Sequence, residues 1–285
     1  MIGEYLASVS EILDPFSDTP FLDASVLLAN MLGKSRTWVL AHPEAPITLD
    51  QRQLVDNAIL RLEAGEPLPY VIGHWEFYGL DFQLNAATLI PRPETELLVE
   101  KALEWLKEHP GPCMAADVGT GSGCIAITLA HHRTDLQVIA TDISAFALRA
   151  AKANAIRHNV ASRVAFVQGN LMESIEESFD IIGANLPYIP THTLQMLEVY
   201  ESEPELALDG GVDGLNLIRS LLAQAPERLN RDGRLLVEIE MNQSAAAISM
   251  AKAVFPHSEV HVFPDLAGKD RLLVIDNIQP EIETS

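Results

Sequence analysis

The sequence predicts an α/β fold: a mostly parallel sheet covered by helices on both faces, preceded by a small bundle of helices. Three observations predict it. From Ala115 onward, short apolar segments of strand length alternate with helical segments, the pattern that builds a parallel sheet between two helical layers. Residues 1–75 carry helical periodicity and no convincing strand. A glycine-rich turn, Asp117-Val118-Gly119-Thr120-Gly121-Ser122-Gly123, follows a predicted strand and opens a predicted helix.

The elements follow in order. A helical segment is expected near Met1–Leu13. Asp23 can cap a second helix with Val26, Leu27 and Met31 on its apolar side and Gly33 as its stop. Asp50 can cap another, whose Val55, Ile59 and Leu62 share a face and which Gly65 and Pro67 end. Residues 76–84 are rich in strand formers around Gly79 and read as a hairpin. Pro93 suits the first position of a helix, the acids after it suit the positive helix start, and Leu97, Leu98, Leu103 and Leu106 supply the apolar face. Strands are expected at Ala115–Val118, Val138–Thr141, Arg163–Val167, Phe179–Ala184 and Arg234–Ile239, then at Val260–Phe263 and Arg271–Ile275. Helices are expected at Cys124–Ala130, Ala145–His158, Leu215–Leu229 and Gln243–Val254. The link between the last two strands is too short for a crossover helix, so that pair is expected to be antiparallel. The chain therefore divides into 1–75, a helical bundle; 76–90, a hairpin linker; and 91–285, the domain carrying the chemistry.

Composition narrows the function. Hydrophobic residues make up 48% of the chain, enough for a packed core. The net charge is −21, with 4 basic against 10 acidic residues in 1–75 and 15 against 30 in the rest. Acidity on both sides argues against nucleic acid or anionic lipid as the main partner. Cys113 and Cys124 suit a reducing compartment. The acidic start lacks a signal-peptide pattern, and no apolar run is long enough to span a membrane, so the expected location is the cytoplasm.

Four motifs carry chemistry. Gly119, Thr120, Gly121, Ser122 and Gly123 form a loop whose glycines let backbone approach a bound molecule. Asp142 ends the next strand, 23 residues past Gly119, where a carboxylate can accept both hydroxyl hydrogens of a ribose. Nucleotide cofactors and S-adenosylmethionine share that need. After the third strand, Gln168-Gly169-Asn170-Leu171 offers a polar group for the adenine amino group and an apolar cover for its ring. After the fourth comes Asn185-Leu186-Pro187-Tyr188. An amide nitrogen is a poor nucleophile because its lone pair is delocalised. Holding both N–H groups with acceptors lets the nitrogen pyramidalise and aim that pair. The Asn185 side-chain oxygen and a backbone carbonyl near Leu186 can be those acceptors, and Tyr188 can stack on the flat group and exclude water. His131 and His132 lack metal-ligand spacing, and no metal is expected. Cys124 lies on the apolar helix after the glycine loop and suits the core.

At these residues the chain resembles the protein-(glutamine) methyltransferases that modify peptide chain release factors. The resemblance covers nearly the whole length. It includes Tyr70-Val71-Ile72-Gly73 with Phe77, the 89–96 stretch containing Ile90-Pro91-Arg92-Pro93-Glu94-Thr95-Glu96, the glycine loop and Asn185–Tyr188. It continues through Glu203-Pro204, the 210–215 segment and 233–243. It implies a Rossmann-like class I S-adenosylmethionine methyltransferase domain, with a seven-stranded sheet whose last strand is antiparallel. It implies that Gly119–Gly123 and Asp142 bind S-adenosylmethionine, giving S-adenosylhomocysteine as product, and that Asn170 or Leu171 touches the adenine. Asn185 would sit between cofactor and substrate, and Asn185, Leu186, Pro187 and Tyr188 would grip the glutamine of a Gly-Gly-Gln loop on a class-1 release factor. Asn185, Pro187 and Tyr188 would carry the catalysis. The N-terminal helices would help dock the release factor, Arg92 and Glu94 would lie near the cleft, and the chain would act as a monomer. Two departures stand out: Leu186 replaces the family's first proline, and Glu240 stands where the family tends to have glycine.

Asn-Leu-Pro-Tyr is also typical of adenine dimethyltransferases acting on ribosomal RNA. An adenine-N6 methyltransferase is therefore the first rival reading, and the acidic charge opposes it. A non-catalytic adaptor that binds release factor is the second, opposed by the intact cofactor loop. A nicotinamide dehydrogenase is disfavoured because Asn-x-Pro-Tyr has no role in hydride transfer.

Overall fold

The computed structural model describes residues 1–197 and 199–278. The first compact unit is Met1–His74. Its helices are α1 (Ile2–Leu13), α2 (Pro20–Leu32), α3 (Arg36–Ala41), α4 (Leu49–Glu63) and α5 (Leu68–Ile72). In α1, Ile2, Leu6, Val9 and Leu13 recur every three or four residues and are buried, so one face meets Leu27 and Leu28 of α2 and Val55 and Ile59 of α4 in a common core. The helix starts differ from those expected. Thr19 precedes α2 with Pro20 at its first position, and Asp23 lies a turn inside, taking the Ser17 hydroxyl at 2.6 Å. Thr48, not Asp50, caps α4, through a reciprocal pair with Gln51. At α4 the Thr48 hydroxyl, one residue before the helix, accepts the Gln51 N–H, a place that Asp50, already inside the helix, does not fill.

The second unit runs from Trp75 onward. The hairpin is β1 (His74–Phe77) and β2 (Leu80–Gln83). A 3₁₀ turn at Pro93–Thr95 leads into α6 (Glu96–Glu108), which buries Leu98, Val99, Ala102, Trp105 and Leu106; Leu97 and Leu103 are only half-buried. Then follow β3 (Cys113–Val118), α7 (Cys124–His132), β4 (Leu136–Asp142), α8 (Ala145–Arg157), β5 (Val164–Gln168) and β6 (Phe179–Ala184). Two short helices, α9 (Thr191–Leu194) and α10 (Val199–Ser202), precede α11 (Asn216–Gln224), β7 (Leu229–Glu238), α12 (Ser244–Val254), β8 (Glu259–Pro264) and β9 (Asp270–Asp276). The helix expected at Leu215–Leu229 stops at Gln224, and Pro226 sits in a 3₁₀ turn directly after it. The hairpin is bonded into this unit: Asn154 of α8 accepts from Gln83 N–H at 2.8 Å and donates back to Gln83 carbonyl at 3.0 Å.

The seven-stranded sheet has the order β5-β4-β3-β6-β7-β9-β8. β3 to β7 pair in parallel, and β9 lies antiparallel between β7 and β8. The chain runs outward from β3 to β5 and then returns to the other side of β3 as β6. That reversal makes a crevice at the carboxyl ends of β3 and β6. Val118 pairs with Ala184 in register, so the loops that follow, at Gly119 and Asn185, leave the sheet level with each other.

Candidate active site

A cleft of about 270 Å³ lies over those strand ends. Gly119, Thr120, Gly121 and Ser122 line it after β3, Asp142 at the end of β4, Asn170 and Leu171 after β5, and Asn185, Leu186 and Pro187 after β6. Residues expected from four separate motifs thus share one cavity.

The glycine loop is braced from behind. Gly119 and Thr120 N–H groups both donate to the Thr141 carbonyl, at 2.9 and 2.8 Å. Asp117 lies buried beneath, where one carboxylate oxygen takes the Thr120 hydroxyl (2.6 Å) and the Ala126 N–H (3.0 Å) while the other has no partner. Burial pushes its carboxyl up to about 6, whereas an unfolded aspartate titrates near ~3.9. The folded state therefore holds this proton more tightly. The stability it contributes is full below about pH 4 and is lost as pH rises through about 6. Asp117→Asn keeps one oxygen for both donors, so denaturation curves should lose that pH-dependent decline; an unchanged slope would assign it to another group.

Asp142 accepts from Gly121 N–H at 2.9 Å and Ser144 N–H at 2.8 Å, one on each oxygen. Burial pushes its carboxyl up, and the N–H groups of Ser144, Gly121 and Ile143 pull it back. Each oxygen keeps capacity for a further donor, so the pair can take two adjacent hydroxyls. Ile143 and Phe146 line the cleft yet are 53% and 66% exposed, a wasteful arrangement unless a flat apolar group covers them. Neither was singled out from sequence; the apolar residue directly after the acid at a strand end was the available signal. Asn170 donates to Glu173 at 2.8 Å, and Gln168 turns back to the Ile143 carbonyl at 3.1 Å. Backbone cradle, carboxylate and apolar flank together fit an adenosine bearing a charged tail, as S-adenosylmethionine does.

Asn185 donates through Nδ2 to the Thr95 hydroxyl oxygen at 2.9 Å, which leaves Oδ1 to accept. Thr95 in turn donates to Glu238 at 2.7 Å. Tyr188 is placed differently from the expectation that it stacks in the cleft. Its ring packs against the core, its hydroxyl donates to Glu238 at 3.1 Å, and it is not among the cleft-lining side chains. Burial and the nearby Glu238 carboxylate push the Tyr188 phenol up. Glu238 is only 1% exposed. Burial pushes its carboxyl up, while the Thr95 and Tyr188 hydroxyls and the Arg271 charge pull the other way.

Both departures from the resembled family acquire a physical account. Leu186 is 3% exposed, and its Cδ2 would lie 2.9 Å from a Cβ on Gly119. The rigidity lost with proline is replaced by packing of the 185–188 loop directly on the glycine loop. Glu240 caps the turn that opens α12: it accepts from Asn242 N–H and donates to Gln243 Oε1, both at 3.0 Å. Gln243 Nε2 then donates to the Tyr188 carbonyl at 2.9 Å. The Glu240 backbone (φ −83°) suits any residue.

Pro91 and Thr95 line the cleft; Arg92 and Glu94 do not. Arg92 pairs instead with buried Glu203, whose other oxygen accepts from Ile90 N–H at 3.1 Å. That joint ties the 87–91 wall to the 204–207 wall, since Ala87, Leu89, Pro204, Leu206 and Ala207 also line the cavity. Cys124 lines the cleft as well, but burial and Asp117 push its thiol up to about 12, so it stays protonated and inert. Among the described residues no cluster of His, Cys, Asp and Glu could hold a metal ion, and no helix is long and apolar enough to cross a membrane.

Comparison with known proteins decides the family. The PrmC N-terminal domain matches residues 4–73, and the methyltransferase small domain matches residues 94–200. A release factor glutamine methyltransferase of Nitratidesulfovibrio vulgaris is 41% identical over 264 residues, spanning 90% of this chain and 88% of that protein. The chain belongs to the release factor glutamine methyltransferase family. A second member, from Moorella thermoacetica, is 42% identical over 259 residues, covering 89% of this chain and 90% of its own length. Among solved structures, a methyltransferase from Pyrococcus furiosus shares the fold, with a TM-score of 0.52 at 17% identity over 81% of this chain and all of that one. The second unit is thus a class I S-adenosylmethionine-dependent methyltransferase domain, and the protein is an enzyme using that cofactor.

Proposed function

We propose that this methyltransferase acts on the side-chain amide nitrogen of the glutamine in the Gly-Gly-Gln loop of class-1 peptide chain release factors. The observation that carries the reading is the fixed amide of Asn185, whose Nδ2 is committed to Thr95 and whose Oδ1 remains as an acceptor at the cleft. Asn185 Oδ1 and the Leu186 carbonyl hold the two N–H groups of the substrate amide, which localises the nitrogen lone pair. Pro187 stiffens the loop, and Tyr188 anchors it through Glu238. Gly119–Gly123 hold the cofactor's amino-acid end, Asp142 its ribose, and Asn170, Leu171, Ile143 and Phe146 its adenine. When bound, S-adenosylmethionine supplies a methyl group already activated by its sulfonium charge. The N-terminal unit helps dock the release factor. The protein works as a monomer in the cytoplasm, without direct contact to nucleic acid or membrane. Net charge of −21, spread over both units, supports a protein substrate over RNA or DNA.

The test is transfer of label from S-adenosylmethionine. Purified protein is incubated with release factor, with release factor lacking the Gly-Gly-Gln glutamine, and with ribosomal RNA. Label is expected only in the intact release factor. Label in RNA alone would favour adenine, towards which Leu186 leans, and overturn the proposal.

A further inference from the structure

The catalytic loop is held by a chain of hydrogen bonds that crosses three elements. Glu238 ends β7, Thr95 ends the 3₁₀ turn before α6, and Asn185 and Tyr188 follow β6. Thr95 lies 90 residues from Asn185, and Glu238 lies 143 from Thr95, so only the fold brings them together. We infer that Glu238 and Thr95 are positioning residues that set the amide orientation of Asn185 by ordering the protons between them.

The direction of each bond follows from chemistry. As a carboxylate, Glu238 can only accept. It takes the Thr95 hydroxyl hydrogen on one oxygen and the Tyr188 hydroxyl hydrogen on the other, at 2.7 and 3.1 Å. With its single hydrogen committed, the Thr95 oxygen can only accept from Asn185. The amide must therefore present Nδ2 to Thr95, at 2.9 Å, and Oδ1 to the substrate. A flipped amide would set oxygen against oxygen at Thr95 and offer N–H to a substrate nitrogen that itself needs acceptors. Glu238 touches neither the cleft nor the reacting atoms, and its burial keeps water from satisfying the Thr95 hydroxyl in its place.

This inference rests on Asn185 acting as the acceptor for the methylated nitrogen. Thr95→Val is nearly isosteric and removes the hydroxyl. It is expected to lower kcat by about 10- to 100-fold, with little change in S-adenosylmethionine affinity by equilibrium dialysis and little change in substrate KM. Thr95→Ser, which restores the hydroxyl, should recover most of that loss. Glu238→Met, which removes both acceptor oxygens, should lose a similar factor, and Thr95→Val with Glu238→Met should be no worse than Glu238→Met alone, because both break one chain. An independent readout is the Asn185 side-chain NH₂ signal in ¹⁵N spectra, assigned by its disappearance in Asn185→Ala. Its hydrogen exchange should accelerate in Thr95→Val and return towards wild type in Thr95→Ser. Wild-type kcat in Thr95→Val, equal damage from serine and valine, strictly additive losses, or unaltered exchange would each overturn the inference. Should wild type label RNA and not release factor, the substrate assignment falls, and the same variants assayed on RNA still decide whether the chain orders Asn185.

Discussion

Replacing Asn185 with alanine is expected to reduce turnover by about 100- to 1000-fold, the loss that follows removal of one preorganised polar group at a reacting centre. Cofactor binding should survive, because the glycine loop is held by the Thr141 carbonyl, and Asp142 by Gly121 and Ser144, none of which involve Asn185. The fold should survive too: Asn185 is half-buried, and its removal leaves Thr95 still bonded to Glu238. Asn185→Asp separates two explanations. It keeps an acceptor oxygen but removes the N–H that reaches Thr95, and Thr95 has no second hydrogen to give. A carboxylate alone should therefore fail almost as badly as alanine. Single-turnover transfer to release factor, beside dialysis with labelled S-adenosylmethionine, measures both quantities. Turnover within a few-fold of wild type in Asn185→Ala would remove this residue from its role.

The second large effect is expected at Gly214. Its backbone has φ +73°, and a Cβ there would lie 2.1 Å from the Tyr188 carbonyl oxygen and 2.5 Å from Gln243 Nε2. It would thus intrude on the hydrogen bond that joins those two groups at 2.9 Å. Neither obstacle is the free end of a flexible chain: one is backbone, and the other is held by Glu240. Gly214→Ala should cost about 2 kcal/mol or more, combining left-handed strain with a lost buried hydrogen bond. That corresponds to about 4–8 °C in Tm for a domain of this size. Turnover should fall as well, because the loop bearing Asn185 must shift with Tyr188. Gly268 is the matched control, since its φ is +76° and a Cβ there meets nothing within 4 Å. Gly268→Ala isolates the backbone strain. Equal melting temperatures for the two variants would show that the approach to Tyr188 contributes nothing.

Both predictions depend on the walls of one loop, and those walls differ in how far sequence reaches them. Gly119–Gly123, Asp142 and Asn185 were readable because each is a local pattern at a strand end, and a parallel α/β sheet sends its strand ends to one side. Tyr188 was readable as part of the tetrapeptide, but its placement was not. An aromatic ring next to a cleft can face the cavity or the core, and the choice here follows from Glu238 reaching it across β7. Leu186 stands where the resembled family has proline, yet a buried leucine against Gly119 holds the same loop by packing. Helix starts at Asp23 and Asp50 were misplaced because α2 already begins at Pro20, and because the Thr48 hydroxyl caps α4.

By itself the sequence determined the alternation that makes the sheet, the glycine loop, the acid at the next strand end and the asparagine after the fourth strand. These are properties of short segments, set by glycine freedom, strand periodicity and the donor and acceptor inventory of single side chains. Only the tertiary structure decided that β6 lies beside β3, that Ile143 and Phe146 stand exposed along the cleft, and that Thr95 and Glu238 stand behind Asn185. Those facts join residues up to 143 positions apart. A hydrogen bond at that separation has no periodicity to betray it; it exists because strand order and register bring its two ends within 3 Å.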